Sequence, residues 1–165
     1  MKKVTNNFRE TQELAKEFVS KLHGGDVLLL FGDLGSGKTT FMQGLAEGIG
    51  LKRRIISPTF IIVRRYEIPS VIASEAKQSN KNKIAASSST PRNDIGFLYH
   101  IDLYRTQTMD DLKGLGLLEI LQEKDAIVAI EWPEKLKDLF PKKRWELHFD
   151  NLGEDSRSIT IEKYE

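Results

Sequence analysis

One octapeptide constrains the fold of this chain more than any other feature. It reads Gly32-Asp33-Leu34-Gly35-Ser36-Gly37-Lys38-Thr39 and satisfies the pattern Gly-x-x-x-x-Gly-Lys-Ser/Thr. Its glycines let backbone N–H groups turn toward phosphate oxygens, and a helix beginning at the loop adds the positive end of its dipole. The motif therefore predicts a phosphate-binding loop (P-loop) between a strand and a helix.

Each polar side chain of the loop has an expected partner in a bound nucleotide. Lys38 is expected to reach the β- and γ-phosphates and assist turnover, and the Thr39 hydroxyl is expected to bind Mg²⁺. The motif therefore predicts a nucleotide bound together with Mg²⁺. The expected nucleotide contacts in and beside the loop are Asp33, Leu34, Gly35, Ser36, Gly37, Lys38, Thr39 and Thr40.

The segments around the loop supply the strand and the helix that the motif requires. The apolar run 26–31 predicts a strand buried on both faces. Apolar residues at helical spacing predict one helix before that strand and another after the loop. The first helix carries Leu14, Ala15, Phe18 and Leu22, and the second carries Met42, Leu45, Ala46 and Ile49.

The rest of the chain continues this alternation of strands and helices. Strands are predicted at 59–68, 97–103 and 126–130, a short helix at 112–121, and a hairpin from strands at 145–149 and 158–161. The pattern indicates an α/β fold: a three-layer P-loop NTPase domain with a largely parallel central sheet and a C-terminal β-hairpin. A length of 165 residues suits a single domain, 1–165.

Composition narrows the functional classes. A net charge of +1 excludes a generally polybasic chain, so any nucleic-acid contact requires a local patch. There is no cysteine, and the three histidines lack zinc-ligand spacing. The first residues do not resemble a secretory signal, and the apolar runs are too short to cross a bilayer. We expect a cytoplasmic protein without a membrane partner.

Residues 70–95 depart from the pattern because they are rich in Ser, Ala, Asn and Lys. Such a composition buries too little apolar surface to offset the entropy of ordering the chain. We interpret the segment as a flexible insertion between two strands. A partner-binding arm is the alternative.

Two further acidic positions are candidates for the site. The predicted strand 126–130 is followed by Glu131, at the edge of the sheet where ligands of open α/β folds bind. A carboxylate there can hold Mg²⁺ or polarise a water molecule, although a solvated surface glutamate is an equal alternative. In the strand containing His100, that residue, Asp102 and Tyr104 would share one face. Asp102 could then lie beside the metal or the attacking water, whereas His100 is interpreted as a satisfied structural histidine.

Four motifs in order make the chain resemble the bacterial TsaE (YjeE) family, the ATPase component of tRNA threonylcarbamoyladenosine biosynthesis. Besides the loop, they are Ser57-Pro58-Thr59-Phe60, His100-Ile101-Asp102-Leu103-Tyr104-Arg105 and Glu131-Trp132-Pro133-Glu134. The resemblance covers nearly the whole chain apart from the insertion.

The resemblance implies roles for individual residues. Thr39 and Glu131 would be the Mg²⁺ ligands, Asp102 would serve ATP turnover, and Thr59 would face the γ-phosphate. For the adenine pocket it implies Thr11 and Arg157, for which a helix cap and a surface charge are equal alternatives. Trp132 would be an aromatic near the site rather than a catalyst.

The resemblance also implies partners: the TsaD transferase and TsaB, with tRNA met only indirectly through the complex. Three other functional classes are alternatives. A small-metabolite kinase would need an arginine-bearing lid, but the insertion holds only Arg92. A GTP-dependent switch would need Asn-Lys-x-Asp, which Asn82-Lys83-Ile84-Ala85 does not complete. A nucleotide-dependent docking module without turnover is the third.

Overall fold

The fold is described from a computed structural model, which defines residues 1–52, 55–56, 62–69 and 94–165. The predicted Thr59 site and most of the predicted insertion lie outside these residues. No helix in the described ranges is long and apolar enough to cross a membrane. The elements in chain order are β1 (Lys2–Thr5), α1 (Phe8–Val19), β2 (Val27–Phe31), α2 (Lys38–Gly48), β3 (Val63–Glu67), β4 (Phe97–Asp102), α3 (Met109–Gly114), α4 (Leu117–Ile120), β5 (Ala126–Glu131), a 3₁₀ helix (Pro133–Leu139), β6 (Arg144–Gly153) and β7 (Ser156–Tyr164).

The strands of the described chain form one sheet in the order β1-β7-β6-β2-β5-β4-β3. Strands β6, β2, β5 and β4 run parallel in its centre, whereas β7, β1 and β3 join antiparallel. The prediction of a largely parallel sheet is thus correct for the centre only. The outer strands are antiparallel because strands that follow each other in the chain pair directly there. These pairs are β3 with β4 and β6 with β7.

Apolar residues fill both faces of the sheet and give the fold three layers. In β2, Leu28 and Leu30 face the core under α1 and α2, whereas Val27 and Leu29 face the core under the short helices. The alternation follows from the period of two along a strand. Strands β2 and β5 are buried along nearly their whole length, which explains why their sequences read as continuous apolar runs.

Helix α1 begins at a side-chain cap and packs against α2. The Asn7 side chain accepts a hydrogen bond from the Glu10 N–H, satisfying a donor that the first turn leaves unpaired. Gly44 of α2 lies against the α1 backbone, since a Cβ atom built on it would be 2.6 Å from the Gln12 Cα. The two helices therefore pack at a separation that only glycine allows.

Three details of the fold differ from the sequence-based expectations. The predicted helix 112–121 is two helices, α3 and α4, because Gly116 takes a left-handed conformation with φ 65°. Strand β1 was not predicted from the sequence. The last two residues of the predicted insertion 70–95 belong to the folded domain. Ile95 is buried in the core, and the Asp94 carboxylate accepts a hydrogen bond from the Gly24 N–H.

Candidate functional site

The loop of residues 32–39 joins β2 to α2 in a conformation that its glycines permit. Gly32 has φ 141°, and a Cβ there would meet the Phe149 carbonyl oxygen at 2.6 Å. Gly37, with φ 105°, precedes α2 and provides no side-chain cap. The first N–H groups of α2 are therefore not occupied by a capping side chain and face the loop, an arrangement suited to an anion.

Lys38 is buried, and its ammonium connects two backbone carbonyl groups of this loop. Its Nζ donates to the carbonyl oxygens of Gly32 at 2.6 Å and Asp33 at 2.9 Å, and lies 4.3 Å from the ring centroid of Trp132. Burial lowers the pKa of Lys38 below its usual value, and nearby carboxylates, Glu131 foremost, oppose that shift. The ammonium is thus placed where a bound anion would stabilise its charge.

Thr39 and Glu131 meet at the edge of the sheet. The Thr39 hydroxyl lies 3.1 Å from Oε1 and 3.4 Å from Oε2 of Glu131 and donates to that carboxylate. Glu131 is the last residue of β5, which pairs directly with β2, so the strand that ends in the acid runs beside the strand that enters the loop. The geometry brings together the two side chains predicted to hold a metal.

His100 also reaches this carboxylate, which the sequence-based interpretation missed. Its Nε2 lies 2.8 Å from Glu131 Oε1, and the imidazole is fully buried. Among the described residues one ring nitrogen, Nδ1, has no hydrogen-bond partner, so the satisfied structural histidine of the sequence-based interpretation is borne out at Nε2 only. The contact depends on the register of two strands distant in sequence, which a single strand's pattern does not reveal.

The end of β4 and the turn that follows it also contribute to the site. Asp102 is buried at the end of β4, pairs in register with Glu131, and accepts the Tyr104 N–H at its Oδ1 at 3.0 Å. The prediction that Tyr104 shares a strand face with Asp102 was wrong, because the strand ends at Asp102 and Tyr104 lies in the following turn. The Tyr104 ring packs 5.0 Å from that of Trp132, confirming the expectation that Trp132 is an aromatic near the site.

With the exception of His100, these side chains line one cavity of about 280 Å³. Its walls come from the loop, the start of α2 and the ends of β4 and β5, so the site is where parallel strands finish, as expected for open α/β sheets. The lining residues are Leu34, Gly35, Gly37, Lys38, Thr39, Thr40, Asp102, Tyr104, Glu131 and Trp132.

The remaining predicted contacts lie at varying distances from this cavity. Arg157 of β7 packs on the loop: a Cβ on Gly37 would be 3.0 Å from its Cδ. The Ser36 side chain is buried, whereas Asp33 is exposed. Thr11 is fully buried, and its hydroxyl contacts that of Thr5 at 2.8 Å and the Asn7 carbonyl oxygen. Asn7 caps α1, so the alternative of Thr11 as the cap was wrong, while its contact with a nucleotide stays a prediction.

The fold and the site together define a mixed α/β protein whose glycine-rich loop, buried lysine and acidic strand end share one cavity. The model of the family described as "Threonylcarbamoyl adenosine biosynthesis protein TsaE" matches residues 5–159. This chain belongs to the TsaE family.

Individual relatives agree with the family match. The protein named "tRNA threonylcarbamoyladenosine biosynthesis protein TsaE" of Bacillus subtilis is 33% identical over 157 residues, covering 95% of this chain and 82% of the relative. The protein of that name from Borreliella burgdorferi is 36% identical over 141 residues, covering 84% and 83%. The crystal structure of Bacillus subtilis YdiB is similar with a TM-score of 0.68 at 27% identity, covering 100% of this chain and 86% of that one.

Proposed function

We propose that this chain is the ATP-binding and ATP-hydrolysing component of the tRNA N6-threonylcarbamoyladenosine machinery, acting with the TsaD transferase and TsaB. The observation that carries the proposal is the convergence of Lys38, Thr39 and Glu131 on one cavity. Family membership supplies the pathway, and the resemblance noted above supplies the partners. The net charge of +1 is consistent with meeting tRNA only through the complex.

The local fold supports assignment as a P-loop NTPase domain. Strand β2 leads into the loop, and α2 begins at Lys38 with its N-terminus free of a capping side chain. Backbone N–H groups and a helix dipole directed at one place form an anion site, and triphosphates are the anions that this loop pattern binds.

The oxygen donors at the site fit Mg²⁺. The Thr39 hydroxyl and the Glu131 carboxylate are hard ligands, and Mg²⁺ in nucleotide sites takes one or two such groups with water and phosphate oxygens. When bound, the ion would neutralise charge on the phosphates. Thr39 and Glu131 are the residues that would hold it.

Lys38 exchanges partners in the proposed mechanism. In the structure its ammonium binds the carbonyl oxygens of Gly32 and Asp33. A triphosphate in the loop presents charged oxygens to the same group, and a charge-assisted hydrogen bond is roughly twice as strong as a neutral one. Because burial lowers the pKa of Lys38, an incoming anion also relieves the cost of holding the charge there.

Asp102 is proposed to orient the attacking water. Its carboxylate lines the cavity, and the Tyr104 N–H fixes Oδ1. Arg157, held against Gly37, is proposed to contact the nucleotide from the β7 side. Thr11 and Thr59 keep the nucleotide contacts that the family resemblance implies.

The test is phosphate release from ATP by the purified chain, with and without TsaD and TsaB. Lys38→Ala should raise the activation free energy of hydrolysis by at least on the order of 2–3 kcal/mol, because it removes a preorganised charge. The turnover rate should then fall about 30- to 150-fold. Lys113→Ala, which removes an exposed lysine of α3, is the matched control. Glu131→Gln should weaken Mg²⁺-dependent nucleotide binding or turnover and leave the fold intact.

Each arm can contradict the proposal. Hydrolysis unchanged in Lys38→Ala would exclude the lysine from this role. Unfolding of Glu131→Gln would make that carboxylate structural. Nucleotide binding without turnover, even with both partners present, would favour the docking-module alternative.

A further inference from the structure

His100 is the second donor to a carboxylate that is almost wholly removed from solvent. The Glu131 side chain is 4% exposed and that of His100 is 0% exposed, with Nε2 and Oε1 2.8 Å apart. A buried carboxylate requires hydrogen-bond donors because desolvation is otherwise costly. Here the donors are the Thr39 hydroxyl from α2 and the His100 imidazole from β4.

The two donors approach from different elements, and each constrains the carboxylate differently. The final torsion of a glutamate side chain is broad and roughly two-fold, so the Thr39 hydroxyl alone does not fix the carboxylate plane. His100 lies on a strand whose backbone is paired on both sides, with Ala129 of β5 and Arg64 of β3. The backbone of His100 is therefore held by both neighbouring strands, and its fully buried imidazole contacts Oε1.

An apolar residue would fill this buried position without needing hydrogen-bond partners, which argues against a purely structural role for His100. Within the described residues the Nδ1 atom of His100 is buried and has no hydrogen-bond partner, whereas an apolar side chain would need none. The neighbouring inward position on the same strand, Leu98, is apolar and needs no partner. Groups left half-satisfied in a buried site are often retained for what they do there.

We propose that His100 is a positioning residue: its Nε2–H holds Glu131 Oε1 so that the carboxylate presents a fixed plane to Thr39 and the cavity. The inference rests on the proposed function, because the plane matters if Glu131 and Thr39 hold the Mg²⁺ of a nucleotide. Residues that orient metal ligands in this way typically change metal affinity or activity 10- to 100-fold when they are replaced.

The test compares two amides that differ in reach. His100→Gln places its amide nitrogen close to the position of Nε2, whereas the shorter His100→Asn cannot reach Glu131. We expect the Mg²⁺ concentration for half-maximal ATP hydrolysis to rise on the order of 10-fold or more in His100→Asn, and His100→Gln to restore most of the loss. Nucleotide affinity measured in EDTA should be unchanged in both. His148→Asn, on β6 beside Glu146, controls for loss of an imidazole elsewhere.

A double-mutant cycle then identifies the route of the effect. If His100 acts through Glu131, His100→Asn should add little in a Glu131→Gln background. Additive losses, an unchanged Mg²⁺ requirement in folded His100→Asn, or equal losses in the Asn and Gln variants would each overturn the inference. Should His100→Asn fail to fold, the Mg²⁺ requirement of His100→Gln is compared with that of Glu131→Gln. A requirement closer to wild type in His100→Gln supports the inference, and one that is no closer overturns the inference.

Failure of the proposed function is detected separately. Wild-type protein that neither binds ATP with Mg²⁺ nor hydrolyses it, with Lys38→Ala indistinguishable from it, would reject the ATPase itself. Wild-type activity with a null result at His100 rejects the positioning role alone.

Discussion

The α1–α2 contact predicts a large effect from the smallest possible side-chain change. In Gly44→Ala the added Cβ would be 2.6 Å from the Gln12 Cα and 2.8 Å from its carbonyl carbon, and it would also contact the carbonyl oxygen. Ordinary van der Waals contact begins at 3.4 Å, so the contact with the Gln12 Cα alone requires the helices to separate by at least roughly 0.8 Å. The obstacle is backbone, which cannot rotate out of the way.

The magnitude follows from two opposing effects. Overpacking a well-packed core is destabilising by about 1–3 kcal/mol, and a backbone clash belongs at the upper end. Alanine recovers about 1 kcal/mol through its higher helix propensity. The net loss of about 1–2 kcal/mol corresponds to a Tm lower by roughly 2–8 °C for a chain of this size.

The assay is urea unfolding followed by circular dichroism, with thermal unfolding alongside. Gly114→Ala is the matched control, because a Cβ on that helical glycine meets no atom within 4 Å and its backbone is unstrained. The control should be neutral or more stable by about 0.5 kcal/mol. Because α2 begins at Lys38, separation of the helices should also weaken ATP binding in Gly44→Ala. Equal unfolding midpoints for the two variants would refute the reasoning.

The remaining predictions concern alkaline stability and the long insertion. Burial, and then the 2.7 Å hydrogen bond to Glu123, raise the pKa of Tyr99 above its usual value, so its stabilisation is present below about pH 10 and lost as pH rises through the folded pKa. Tyr99→Phe should therefore cost about 1 kcal/mol near pH 7 and less near pH 11, measured by urea unfolding; a pH-independent difference would contradict this. Replacement of residues 70–93 by a short Gly-Ser linker, which keeps Asp94 and Ile95, should leave Tm and ATP affinity nearly unchanged, and a large fall in either would show that the segment packs on the domain.

The parts of the fold predictable from sequence were those with strong local patterns. The run that became β2, the glycines of the loop and the apolar strand before Glu131 each carry their own signal. Strand β1 carries none, since Lys2 and Lys3 are exposed and the strand exists only because its backbone pairs with β7. Gly116 breaks the predicted helix through a left-handed conformation that glycine permits but does not require.

The candidate site was predictable as a set of residues but not as a set of contacts. Lys38 and Thr39 follow from the motif, and Glu131 from its place after a buried strand. That His100 would touch Glu131 depends on the register of β4 against β5, which places His100 opposite Ala129, two residues before the acid. His100 and Glu131 lie 31 residues apart in sequence, so their contact is a tertiary property, and the pattern within each strand contains no information on it.

The antiparallel strands that border the sheet also bear on how copies of the protein meet one another. An outermost strand offers backbone groups that another chain can pair with, which is a route to polymerisation. In the described sheet, one border, β1, carries Lys2 and Lys3, and the other, β3, carries Arg64 and Arg65. Two copies approaching border to border would bring like charges together at the spacing of a strand pair, so these cations discourage edge-to-edge aggregation.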